Sequence, residues 1–349
     1  MGRDMRRFFP IALGAGLGLG AVAQAEVPRV VADIAPVHSL VAQVMQGVGS
    51  PDLIVRPGAS PHEYALRPSE AGALDQADIV FWIGEELTPW LDRSIERLAH
   101  DATVVSLLDA DGTVRLQFRE GPVFDHDDHD DHADDGDHDD HADEGGHDDH
   151  ADDGDHDDHA DDNDADHDSD DEHAHDHDGV DPHAWLDPVN GKHWLDVISA
   201  ELARLDPENA DRYLENAAKG KADIDESEKA ISAELAGAKS TRFVVLHDAY
   251  HYFEGRFEIH AVGAISLSDA SDPSPARVQS IQENVRDLDV TCVFSEPQFN
   301  VEIVATVIEN SQANSAVLDP LGVGIETGSD FYVNLLRNIS AQIAECAKS

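Results

Sequence analysis

Positive charge is scarce in this chain. There are 23 Lys+Arg against 73 Asp+Glu in 349 residues, a formal net charge of −50. Nucleic acid and anionic membranes are bound through basic surface, so this balance argues against both as partners. Long apolar runs are also missing: after residue 25 no stretch approaches the roughly 20 residues of a membrane span. No H-E-x-x-H motif is present, and nothing resembles a nucleophile–base pair with an orienting third group. A secreted zinc hydrolase using Glu63 as its base is therefore disfavoured, and the chain reads as a binding protein, not an enzyme. Cysteine is limited to Cys292 and Cys346.

The start of the chain has a basic end, Arg3, Arg6 and Arg7, then an apolar run from Phe8 to Val22 and a small-x-small triplet, Ala23-Gln24-Ala25. This is the pattern of a secretory signal peptide, which places the mature chain in an exported compartment, the periplasm in a cell with two membranes. In such a compartment a lone cysteine pair reads more readily as a disulfide than as reactive thiols or a metal pair. Bonding would close a loop of about 55 residues, worth roughly 4 kcal/mol by loop entropy.

From 28 to 108, short β-branched or continuously apolar runs (30–34, 52–55, 79–83, 103–107) alternate with helical spacing (37–48, 68–76, 87–99). That alternation predicts a parallel sheet with helices on its faces. It resumes near the end, with strands expected at 242–246, 259–265, 291–294 and 316–318, and helices at 249–257, 275–288, 301–311 and 329–346. Between them, Asp206-Pro207 has the form of an N-cap and a first-turn proline. It opens a helical pattern to about Ala236, with Ala210, Leu214, Ala217, Ile224, Ile231 and Leu235 near one stripe. Thirty helical residues span roughly 45 Å. The fold class expected is α/β: two lobes, each with a mainly parallel sheet flanked by helices, joined by one long helix.

The halves are separated by a segment unlike either. Residues 125–178 contain 29 Asp+Glu, 13 of the 21 His, and no Lys or Arg. Without them 44 acidic and 23 basic residues remain. A nonapeptide repeats four times, HDDHADDGD at 129–137 and 147–155, HDDHADEGG at 138–146 and HDDHADDND at 156–164. The run has no Val, Ile, Leu or aromatic residue, so it cannot bury enough apolar surface to offset its ordering entropy. The boundaries expected are a signal peptide at 1–25, an N-terminal α/β lobe at 26–118, a disordered His/Asp-rich loop at 119–180, completion of the N-terminal lobe at 181–206, a linking helix at 207–237 and a C-terminal α/β lobe at 238–349.

Three histidines outside the repeat fall in loops or at strand ends: His62 in GASPHE, His183 in DPHAW, and His247 closing FVVLH. Ligands of open α/β sheets gather at the carboxyl ends of strands, where His247 and Asp319 are expected. Three neutral imidazoles with an optional carboxylate suit Zn²⁺ better than Mn²⁺ or Ca²⁺, which prefer more oxygens. His38, His100, His193 and His260 read as surface or structural residues, and His251 as a cleft or surface residue.

The stretches GASPHEYALRP (58–68), DPHAWLDP (181–188), FVVLHDAYHYFE (243–254), CVFSEPQF (292–299) and LDPLG (318–322) carry a further signal. Together they resemble the ZnuA-type zinc-binding proteins of bacterial ABC importers, over about 28–349 without the acidic run. The resemblance implies two α/β lobes on a rigid linking helix, zinc ligands at His62, His183 and His247, and a disulfide between Cys292 and Cys346. For the fourth ligand it leaves the Asp319 carboxylate, ranked first, or a water, with Glu63 third. It also implies a monomeric periplasmic protein that delivers Zn²⁺ to a membrane ABC permease. A zinc store or chaperone without a permease, and a manganese or iron importer component, are the alternatives. Within the repeat, His129 and His132, His138 and His141, His147 and His150, and His156 and His159 each offer an H-x-x-H pair amid carboxylates. These are expected to bind further zinc more weakly, because forming each site costs ordering entropy.

Overall fold

Short apolar runs become the strands of two parallel sheets. In a computed structural model, which describes residues 27–119, 121, 124, 179–266 and 273–348, the first half holds β1 (Val30–Ala32), α1 (Ala35–Val44), β2 (Asp52–Leu53), α2 (Pro68–Asp75), β3 (Ile79–Trp82), α3 (Pro89–Leu98) and β4 (Thr103–Ser106). The second half holds β5 (Phe243–His247), α6 (His251–Phe257), β6 (Ala261–Ser266), α7 (Pro275–Asp287), β7 (Cys292–Ser295), α8 (Glu302–Val307), β8 (Asn314–Val317) and α9 (Phe331–Cys346). Between the halves lie α4 (Pro188–Leu205) and α5 (Ala210–Leu235). The signal-peptide reading of 1–25 and the weak zinc sites from His129 to His159 lie outside the described residues.

The two sheets share one topology, β2-β1-β3-β4 and β6-β5-β7-β8, with every pair parallel. β3 and β5 are buried along their whole length, which is why they read as unbroken apolar runs. In each sheet the strand order reverses direction between the first and third strands of the lobe. Open α/β sheets bind their ligands at the carboxyl ends beside such a point.

α5 is the long linking helix, 26 residues or roughly 39 Å. Its start differs from expectation. Asp206 caps no helix of its own; its Oδ2 accepts from Asn209 Nδ2 at 2.7 Å and from the Tyr213 hydroxyl at 2.9 Å, so the Asp-Pro step closes α4 and Asn209 stands at the N-cap of α5. The buried stripe is also rotated: Tyr213, Asn216, Ala217, Gly220, Ile224, Ile231 and Leu235 face inward, while Leu214 is exposed. A Cβ on Gly220 would come within 2.8 Å of Gln43 Cγ and 2.9 Å of Leu195 Cδ1. Glycine there lets α5 pack closely on α1 and α4, at a cost to helix propensity of about 1 kcal/mol.

Contacts beside the acidic run involve residues on both of its sides. Gln117 and Val180 form an antiparallel bridge, Phe118 N–H donates to Gly179 O, and Phe124 is buried with its N–H on Val262 O. Arg119 and Phe124 thus pack on the second lobe, because one carries a long apolar stem with a charge the lobe can neutralise and the other a ring to bury.

Cys292, the first residue of β7, is bonded to Cys346, the last of α9, across 54 positions. The bond ties the final helix to its sheet. Replacing both cysteines by serine is expected to lower stability by roughly 4 kcal/mol, mainly by freeing the unfolded chain. Urea unfolding under oxidising conditions checks this.

Candidate metal centre

His62 sits in the loop between β2 and α2, His183 just before a short 3₁₀ turn at Ala184–Leu186, and His247 at the carboxyl end of β5. One ring nitrogen from each lies within 4.8 Å of the others. His183 and His247 are buried and His62 is half-buried. Their Nε2 atoms, from His183 and His247, stand 3.3 Å apart.

Two buried carboxylates fix these rings. Asp181 Oδ1 lies 2.7 Å from His183 Nδ1 and also accepts the His183 N–H at 3.0 Å. Glu296, just beyond β7, lies 2.7 Å from His247 Nδ1 through Oε1, across the point where the strand order reverses. With Nδ1–H donated to a carboxylate, each ring is held in the tautomer that turns the Nε2 lone pair inward. The carboxylate also makes the ring a better electron donor to a cation. Burial pushes the Asp181 carboxyl up to about 8, against the pull of the His183 amide. A dication at Nε2 favours the ionised carboxylate, which accepts the Nδ1–H.

Glu296→Gln keeps an acceptor for His247 Nδ1 and removes its charge. It is expected to weaken zinc binding about tenfold, and Glu296→Ala about a hundredfold. Competition with a chromophoric chelator measures both.

Asp319 stands outside the group of three. Its Oδ1 accepts from Gln298 Nε2 at 3.0 Å and from Leu321 N–H at 2.9 Å, and its Oδ2 from Val323 N–H, so its oxygens serve the turn after β8. Glu63 is exposed. His251 opens α6 among the charges of Arg119, Asp181, Asp248 and Glu254, also outside the group. His38 hydrogen-bonds Pro51 O through Nε2, a structural contact.

The space around the imidazoles, lined also by Trp185, Phe299 and Pro320, is only about 10 Å³. That is room for about one water-sized particle, hence an ion and not an organic solute. A larger cavity of about 420 Å³ lies elsewhere, between α1, α4, α5 and α9, and contains none of the three histidines.

Sequence reasoning quoted Asp181 and Glu296 inside motifs without giving them a role. Asp181 had a local signal, a carboxylate two residues before His183. Glu296 is 49 positions from His247 and meets it only through strand order. Arg119 was missed altogether. Its guanidinium reaches Asp248 and both oxygens of Glu254 and stacks 3.7 Å from the centroid of Phe124. Burial opposes its charge, and the Glu254 and Asp248 carboxylates outweigh that and hold it protonated.

Among the described residues no helix is long and apolar enough to cross a membrane. Comparison with known proteins agrees with the architecture. A family profile described as "Zinc-uptake complex component A periplasmic" matches residues 30–346. The high-affinity zinc uptake system protein ZnuA of Brucella abortus (strain 2308) is 44% identical over 317 residues, 91% of each chain. Two solved structures share the fold. The periplasmic zinc-binding protein TroA of Treponema pallidum has a TM-score of 0.69 at 16% identity, over 92% of this chain and 99% of that one. A manganese-bound periplasmic metal-binding protein of Candidatus Liberibacter asiaticus has a TM-score of 0.66 at 16% identity, over 91% and 99%. One fold thus serves proteins described with different metals, and the donor set must decide between them. By the extent of the profile match and the identity to its relatives, this chain belongs to the ZnuA family of periplasmic zinc-uptake components, solute-binding proteins and not enzymes.

Proposed function

We propose that this chain is a monomeric periplasmic protein that captures Zn²⁺ with high affinity and delivers it to a membrane ABC permease, with His62, His183 and His247 as its ligands. The observation that carries this reading is the convergence of three imidazole nitrogens within 4.8 Å, two of them backed by buried carboxylates. An all-imidazole set favours Zn²⁺ over Mn²⁺, which prefers more oxygen donors. Asp319 is committed to Gln298 and the backbone of its own turn, so the fourth position falls to water. The His/Asp run of 125–178 binds further zinc more weakly and raises its local concentration near the cleft.

Zinc calorimetry on the mature chain, beside a variant lacking 125–178, tests this. One tight site kept in both, with weaker sites lost on deletion, is the expected result. Loss of the tight site with the run would make the protein a zinc store instead. Zinc should also be released on acidification below about pH 6.5, because an imidazole must be neutral to bind. Retention at pH 4 would rule out imidazole ligation. A permease partner is tested by adding purified permease and watching for faster zinc release.

A further inference from the structure

The three imidazoles are not held alike. His183 and His247 are buried, backed by Asp181 and Glu296, and in contact through their Nε2 atoms. The segment around His183 is also clamped by the second lobe. The Tyr252 hydroxyl donates to Asp181 O at 2.7 Å, Arg256 forks onto both Asp187 oxygens at 2.9 Å, and Trp185 Nε1 donates to Pro320 O at 2.9 Å. His62 is half-buried on a stretch, 56–67, that is neither helix nor strand. Without support, such a loop would give up much of its binding energy to ordering entropy.

Among the contacts that supply that support, two lie on either side of His62. Trp90 Nε1 donates to Pro61 O at 2.7 Å, next to the ligand. Two residues beyond it, the Tyr64 hydroxyl donates to Glu70 Oε1 at 2.8 Å and accepts from Arg56 Nε at 3.0 Å. The Tyr64 and Trp90 rings meet at 5.6 Å, so the two anchors brace each other. Glu70 is 6% exposed; its second oxygen, Oε2, accepts the Arg67 N–H at 2.8 Å, which closes the loop onto α2. One buried carboxylate thus ties the far end of the loop, its middle and, through Tyr64, its start.

We infer that Glu70 and Tyr64 are positioning residues that form a latch on the His62 loop and set how long zinc stays bound. The inference rests on the zinc-binding reading above. The preassembled His183–His247 pair receives the ion, and His62 closes on it. Weakening the latch should therefore speed release far more than it slows capture. Neither residue belongs to the group of three imidazoles, so the effect passes through the position of His62.

The test uses the mature full chain with Tyr64→Phe and Glu70→Gln. Tyr64→Phe keeps the ring against Trp90 and removes the hydroxyl, so it should fold even if the buried Glu70→Gln does not. Zinc release is timed by stopped-flow mixing with excess chromophoric chelator. Co²⁺ absorption reports the ligand geometry, and metal-free melting temperature reports the fold. The expected result is release about 10-fold faster in both variants, the lower end of what losing support around a metal ligand costs. The Co²⁺ bands should shift, with little change in melting for Tyr64→Phe. Lowered melting with unchanged release and unchanged Co²⁺ bands would reduce the latch to a structural contact and overturn the inference. Absence of tight zinc binding in the unaltered chain would overturn the zinc-binding reading itself. Tight binding there, with release unchanged in both variants, would sink the latch alone.

Discussion

Alanine at His247 or His183 is expected to weaken zinc binding about a thousandfold, roughly 4 kcal/mol. Each substitution removes a donor nitrogen together with the ring that a buried carboxylate orients, Glu296 at 2% exposure or Asp181 at 1%. His62→Ala should cost less, about a hundredfold, because His62 is only half-buried and water can replace its nitrogen. The ordering follows from burial, not from the identity of the ligand. Chelator competition gives the three affinities. A second readout is the melting shift on adding zinc, which should largely disappear for His247→Ala, since stabilisation by mass action scales with ligand concentration over the dissociation constant. Equal losses at all three positions would mean that the backing carboxylates contribute little. No loss at His247 would move the site elsewhere.

The sheets were legible because a parallel strand covered on both faces has no polar side to show: Ile-Val-Phe-Trp in β3 and Phe-Val-Val-Leu in β5 are unambiguous. Capping was harder. Two Asp-Pro dipeptides flank α4, at 187–188 and at 206–207, and of these only the first opens a helix. Asp187 accepts the Val189 N–H at 2.9 Å at the N-cap of α4. Asp206 has its oxygen taken by Asn209 and Tyr213 instead. Local sequence cannot choose between these uses, since the choice depends on what each carboxylate finds across space. The ligand histidines were legible through their motifs, while their support was not. Glu70 reaches Tyr64 over six positions, but Glu296 reaches His247 over 49, and only the crossover order of the sheet brings them together. Arg119 was obscured for a different reason: it adjoins the acidic run, and its partners Asp248 and Glu254 lie 129 and 135 positions away.

Arg119→Met should destabilise the fold by about 3–5 kcal/mol, the range for removing one partner from a buried ion pair. The Asp248 and Glu254 side chains are 2% and 1% exposed, and Arg119 itself only 15%. Methionine would retain the apolar stem against Phe124 and leave the two carboxylates without the guanidinium that bridges them, with Arg277 still acting on Asp248. Glu254 would keep one partner, the Ala261 N–H at 2.9 Å. The stranded pair would take up a proton in the folded state, so its folded-state pKa would rise above the unfolded value. The folded variant then binds more protons than the unfolded chain over that window, and its stability falls as pH rises through it. The deficit against the unaltered protein should therefore be smaller at pH 5 than at pH 8. Adding Asp248→Asn and Glu254→Gln to Arg119→Met should recover part of the loss at pH 8, because the charges that needed the guanidinium are gone. Urea unfolding at both pH values measures all three proteins. A loss under about 1 kcal/mol for Arg119→Met, with no pH dependence, would show that water reaches the carboxylates. Zinc affinity adds an independent check. Asp248 follows the ligand His247 directly, and the charge of Arg119 acts on Asp181 behind His183. Disturbing the cluster should thus move both buried ligands and weaken zinc, while leaving the His62 loop in place.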